Sequence, residues 1–192
     1  MFTVGLDLGQ AQDYTALCIM ETMGSGDARA FHVRHLERFR LGTSYPAIVD
    51  RVKNVLATDA LRRRSVLVVD ASGVGSPVVD LLRQAGLQPV AVTITGGNAP
   101  TREPGGWNVP KRDLVSSLQV LLQSGRLKFA ESLPDMAVLL RELLAFQVKI
   151  TDDAHDTYGA WREGAHDDLV LCVALACWYA TRNQSWVRGP SA

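Results

Sequence analysis

V-L-V-V-D-A-S-G-V-G, residues 66–75, sets four apolar side chains, one carboxylate and a turn holding two glycines in succession. A continuous apolar run this short, bounded by turn residues, predicts a strand buried on both faces. Gly73 and Gly75 turn the chain into a helix with Pro77 near its first position and Val78, Val79, Leu81 and Leu82 as buried candidates.

Upstream, Phe2 to Leu8, Tyr14 to Glu21 and Ala30 to Phe39 read as three strands. The cluster Gly24-Ser25-Gly26-Asp27 marks a turn, so these strands should form an antiparallel meander. Ser44 is placed to cap a helix from Pro46 to about Thr58, with Ile48, Val49, Val52, Val55 and Leu56 along one face. Downstream, Pro89 to Thr95 predicts another strand, and Gly96 to Asn108, rich in glycine and proline, a surface loop. A helix from Pro110 to Gln123 closed by Gly125 follows. Leu127 to Phe129 is a short edge strand, Pro134 opens an amphipathic helix through about Ala145, and the polar stretch Thr151 to Gly164 leads into a last helix from Ala165 to about Thr181. Three strands, a helix, then alternating strands and helices make an α/β domain whose central sheet is mixed.

The chain has 192 residues, 47% of them hydrophobic, enough for one sizeable core. One domain is expected over residues 1–182, with 183–192 as a tail. Lys plus Arg equals Asp plus Glu at 20 each, so no global positive field attracts a polyanion and any nucleic-acid contact must be a local patch. Cys18, Cys172 and Cys177 are odd in number and sit in apolar runs, which fits free thiols in a reducing, cytoplasmic setting. No apolar run reaches membrane-spanning length.

Carboxylates stand where hydrophobic elements end or begin. Asp7 closes the first strand in G-L-D-L-G-Q-A-Q-D-Y-T-A, residues 5–16; Asp70 closes the strand at 66–70; Asp167 and Asp168 open the last helix in H-D-D-L-V-L-C-V-A-L-A, residues 166–176. Open α/β sheets build their sites at strand C-terminal ends, where both Asp7 and Asp70 fall. Each has a plainer reading: a turn aspartate, an Asx turn with Ser72, or a helix cap. Taken together they make an acidic pocket that suits divalent cations, because crowded carboxylates stay ionised only against a positive charge. Helical spacing aligns Asp168 with Leu171, Cys172 and Leu175, and Asp167 with Val170, Leu171 and Ala174, which leaves the two unseparated.

These motifs, in this order, resemble the C-terminal nuclease domain of the large terminase subunit of tailed bacteriophages, a member of the ribonuclease H-like superfamily. The resemblance spans Phe2 to about Ala180. It implies a ribonuclease H-like fold and a magnesium- or manganese-dependent endonuclease, using two ions, that cuts double-stranded viral DNA during packaging. It further implies Asp7, Asp70 and Asp168 as catalytic metal ligands, Asp167 as a fourth, Asp13 acting through water, and His166 orienting a carboxylate. A packaging ATPase, the portal and the small terminase would be partners in the host cytoplasm. Large terminase subunits carry an ATPase with a phosphate loop, and no G-x-x-x-x-G-K-[ST] occurs here. The chain is therefore either an isolated domain or a stand-alone relative.

Basic residues cluster at Arg34, Arg38 and Arg40 and at Arg62 to Arg64, both read as solvated faces. Arg102, Lys111 and Arg112 flank the glycine-rich segment with Trp107 and read as a DNA-contacting arm, with Trp161 and Arg162 a weaker candidate. Two other functions compete. An actin-like ATPase also opens with D-x-G and a threonine but needs two lobes of this size, and a non-catalytic docking module would keep a costly carboxylate pocket to no purpose.

Overall fold

Three strands open the chain as an antiparallel meander: β1 (Phe2–Asp7), β2 (Ala16–Met23) and β3 (Ala30–Arg38). The computed structural model describes residues 1–9, 13–150, 156–160 and 166–182, so Trp161, Arg162 and the tail at 183–192 lie outside the described residues. Helix α1 (Tyr45–Leu56) follows, with the Ser44 hydroxyl accepting from the Ala47 amide at 3.4 Å as its cap. Strand β4 (Ser65–Asp70) then returns parallel to β1. Helix α2 (Gly75–Gln84), strand β5 (Val90–Thr95), helix α3 (Lys111–Gln123) and edge strand β8 (Leu127–Phe129) match the expected alternation.

The segment expected as a loop, Gly96 to Asn108, instead holds strand β6 (Thr101–Glu103) and the start of β7 (Gly106–Pro110). Two glycines explain the difference. Gly105 takes φ +90 to turn the hairpin, and a Cβ on Gly106 would stand 2.4 Å from the Ala91 carbonyl oxygen, so only a bare backbone lets β7 run against β5. Strand order is β6-β7-β5-β4-β1-β2-β3-β8. Helix α4 (Met136–Ala145) begins two residues after Pro134 and passes into β9 (Phe146–Ile150), which pairs antiparallel with β10 (Asp156–Ala160), a strand inside the polar stretch Thr151 to Gly164, in a separate two-stranded sheet. Helix α5 (Asp168–Arg182) ends the described chain.

Two apolar cores sandwich the sheet. One lies between the sheet and helices α1 and α2, gathering Leu6, Leu17, Val69, Ile48, Val52, Val79 and Leu82. The other lies under α3, α4 and α5, gathering Cys18, Met20, Phe31, Leu36, Val68, Val92, Leu114, Leu118 and Leu139. Helix α5 is buried on nearly every side, which is why its sequence lacks amphipathic periodicity. It crosses β1 at Gly5, where a Cβ would come within 2.0 Å of the Cys172 carbonyl oxygen. Glycine at this position brings helix backbone directly onto strand backbone.

Candidate active site

Register decides which side chains meet. Leu6 stands beside Val69 across the parallel β1–β4 pair, so Asp7 and Asp70 end neighbouring strands. Asp7 lies opposite Ala16, which packs in the core beneath α5, and Asp70 shares parity with Val68 of the same core. Both carboxylates therefore face α5. The chain reverses sharply after Asp70, with Gly75 packed on its carbonyl oxygen, and the Ser72 amide donates to Asp70 Oδ1 at 2.8 Å. The Asx turn is thus present and leaves Asp70 at the strand tip, where its carboxyl interacts with that of Asp7.

The third contribution comes from α5. Asp168 lies one helical turn before Cys172, the residue whose backbone rests on Gly5, so it points toward the β1 end. Its side chain is 7% exposed, that of Asp167 22%. Burial pushes the Asp7 carboxyl well above the usual carboxylate range, and Asp70, Asp168 and Asp167 push it in the same direction. Burial also raises Asp70 and Asp168, against a hydrogen bond from Ser72 in the first case and the attraction of Arg38 in the second.

Two cations answer this negative charge. Lys111, at the start of α3, places Nζ 3.1 Å from Asp167 Oδ2 and acts on Asp7 and Asp70 as well. Arg38, at the end of β3, donates to Asp168 Oδ2 at 3.0 Å and to Glu142 Oε1. Its guanidinium covers the Tyr14 ring at 4.3 Å, and Tyr14 meets the His166 ring edge-on at 4.9 Å. His166 Nδ1 lies 3.8 Å from Asp168 and 4.0 Å from Asp13, whose side chain is largely exposed at the rim. Beside Asp13 opens a cavity of about 290 Å³ lined by Gly9, Thr15, Arg40, Thr43 and Tyr45.

Asp7, Asp70, Asp167 and Asp168 are thereby drawn to one end of the sheet, while the basic arm expected from sequence is divided. Lys111 sits among the carboxylates. Trp107 packs edge-on against Trp178, ten residues along α5 from Asp168, with Arg102 above its ring at 5.7 Å. Arg112 donates to the Asn98 carbonyl oxygen at 2.6 Å. Arg38, expected on a solvated face, is partly buried and turned into the site. The cause is a bulge: Ile19 faces His35 but Met20 faces Val33, so Arg34 is an extra residue that switches the alternation and turns Leu36 and Arg38 toward α5. Glu142 was also illegible, since one glutamate in an amphipathic helix reads as a polar face until α5 is packed over it.

The donor set consists of carboxylate oxygens, the ligands of hard divalent cations. Five carboxyl groups, Glu142 included, face two fixed cations. The excess negative charge fits a metal ion. Among the described residues no three His, Cys, Asp or Glu side chains form a metal-holding cluster; Asp168 and Asp167 are paired with Arg38 and Lys111.

The model of a family described as the terminase RNaseH-like domain matches residues 4–177. The fold is similar to the large terminase nuclease of thermophilic phage G20c, solved with bound magnesium and with bound cobalt: TM-score 0.67 at 24% identity, over 92% of this chain and 80% of that one. It is similar to the large terminase of bacteriophage HK97, with TM-score 0.61 at 13% identity over 93% of this chain and 39% of that one. A manganese-soaked human cytomegalovirus terminase nuclease domain matches with TM-score 0.52 at 16% identity, over 92% of this chain and 83% of that one. No curated protein matches the sequence significantly.

Proposed function

From the premise that the chain belongs to the terminase RNaseH-like domain family and has that fold, we propose that it is a divalent-metal-dependent endonuclease that cuts double-stranded DNA in viral genome packaging. The observation that carries this reading is the meeting of Asp7, Asp70 and Asp168 from two strand ends and one helix start, with Asp167 beside them. Magnesium or manganese fits this all-oxygen donor set, and the G20c nuclease structure with bound magnesium and the manganese-soaked cytomegalovirus one support the choice. Asp7, Asp70 and Asp168 would hold the ions, two by this reading, with Asp167 contributing and Asp13 acting through water. Bound ions would supply activation of the attacking water and stabilisation of the leaving 3′ oxygen.

The chain's own residues do the rest. Rigid strand ends fix Asp7 and Asp70, so little reorganisation is needed when a phosphodiester arrives. Lys111 offsets charge on three of the acids and adjoins the site where a DNA phosphate would approach. A packaging ATPase, the portal and the small terminase are the partners this family membership points to, with the host cytoplasm as the place of action.

Incubation with supercoiled plasmid tests the reading. Manganese or magnesium should permit nicking and linearisation, and a chelator should stop them. Asp7→Asn and Asp70→Asn should each reduce cutting more than about 100-fold while keeping a cooperative melt, beyond the usual loss for an outer-shell partner. Chelator-resistant cleavage, or full activity in both variants, removes the proposal.

A further inference from the structure

Helix α5 brings Asp168 to the site, while the carboxylate of Asp167, the residue before its first turn, is paired with Lys111. The first amides of α5 are satisfied from another helix. Glu142 of α4, 6% exposed, places Oε2 2.9 Å from the Leu169 nitrogen and 3.1 Å from the Val170 nitrogen. Its other oxygen, Oε1, accepts from Arg38, and the same guanidinium nitrogen of Arg38 donates to Asp168 Oδ2 at 3.0 Å. The backbone amide of Arg38 donates in turn to Asp135 Oδ2 at 3.1 Å, just before α4, so strand and helix are tied at two points.

Arg38 and the Leu169 and Val170 amides all donate to the Glu142 carboxylate, and each fixes something that fixes Asp168. The two amide bonds set how far α5 reaches toward the sheet and how it is rotated. The guanidinium bridge sets the side chain itself. A buried glutamate spanning a helix N-terminus and an arginine is costly to place in a core for packing alone, since leucine would fill the volume without desolvating a charge.

We propose that Glu142, acting through Arg38 and the first amides of α5, is a positioning residue that holds Asp168 in register with Asp7 and Asp70. The inference rests on the nuclease reading for its catalytic consequence but not for its structural one. Outer-shell partners of metal-site carboxylates generally tune affinity and rate by orientation.

Glu142→Gln and Glu142→Ala, with wild type beside them, decide the matter through three measurements: hydrogen exchange at the Leu169 and Val170 amides, manganese binding by calorimetry, and cleavage kinetics. In Glu142→Ala those two amides should exchange faster while amides of β1 and β4 stay protected. Glutamine keeps an acceptor oxygen but loses the charge, so Glu142→Gln should retain most of the amide protection. Even so, its manganese dissociation constant should rise and its kcat fall by about 10-fold or more, with KM for DNA little changed. A purely structural glutamate would lower the folded fraction without moving the manganese affinity of the folded protein. Unaltered exchange and manganese binding in both variants overturns the proposal; should Glu142→Ala fail to fold, Glu142→Gln decides alone. If wild type binds no manganese and cuts nothing, the nuclease reading fails. Positioning then stands or falls on whether amide protection at Leu169 and Val170 depends on Glu142.

Discussion

At Asp7, burial and three neighbouring carboxylates act in one direction, and the folded protein consequently holds a proton that the unfolded chain releases. Stability from this group is complete below the ordinary carboxylate pKa and is lost as pH rises through the raised folded value. Metal-free protein should therefore lose stability to urea as pH rises above the ordinary carboxylate range, and Asp7→Asn should remove much of that loss. An undiminished loss in the variant would show that Asp7 does not titrate this way. Burial likewise pushes the Glu142 carboxyl up to about 7, against the pull of Arg38 and the α5 amides, so its contribution has the same sign and fades as pH rises through about 7. Manganese should raise the melting temperature of wild type above the ordinary carboxylate range and have little effect on Asp7→Asn. The helix-start pair separates by burial: Asp168→Ala should reduce cleavage by more than about 100-fold and Asp167→Ala by about 10-fold, with the buried carboxylate the principal ligand. Rates measured at equal folded fraction that reverse this order would reverse the assignment.

Among the elements, the β1–α5 crossing is the most exacting contact. Gly5→Ala would set a methyl against the Cys172 carbonyl oxygen and near the Ala176 amide, neither of which can swing aside as a side chain tip can. A cost of about 3 kcal/mol or more is expected in equilibrium unfolding, the upper end for overpacking, together with weakened manganese binding as α5 is lifted. A loss under about 1 kcal/mol would mean the helix slides freely. Elements whose pattern is local were legible in sequence: the apolar run of β4 ending in Asp70, the Ser44 cap of α1 and the glycine closing α3 all carry their cause within a few residues. What escaped depends on partners far along the chain. Strand β7 exists because Gly106 fits against Ala91, and Arg38 faces inward because of a one-residue bulge opposite β2, and neither cause appears in the periodicity of its own segment. Asp7 and Asp70 could be named from strand ends alone, while Arg38 and Glu142 could not, since their roles are set by contacts across 104 and 130 positions of sequence.

For the molecule as a whole, equal numbers of acids and bases leave attraction to DNA to whichever face presents its cations. If Arg102 and Arg112 contact phosphates, replacing both with alanine should flatten the log–log dependence of DNA affinity on salt by about 0.9 per lost contact. An unchanged slope would move the DNA face elsewhere, with Lys111 left as a local charge at the carboxylates. The crossing of the last described helix over the first strand also bears on when this chain could do harm. Asp7 is made early in synthesis and Asp168 some 160 residues later, and the helix that carries Asp168 is what covers the face of the sheet on which Asp7 lies. A nascent or truncated polypeptide lacking α5 has both strand-end carboxylates but no third one, and no lid on the core between them. On the nuclease reading, phosphodiester cleavage would thereby be deferred until α5 is made, and an incomplete product with its core uncovered should aggregate rather than cut.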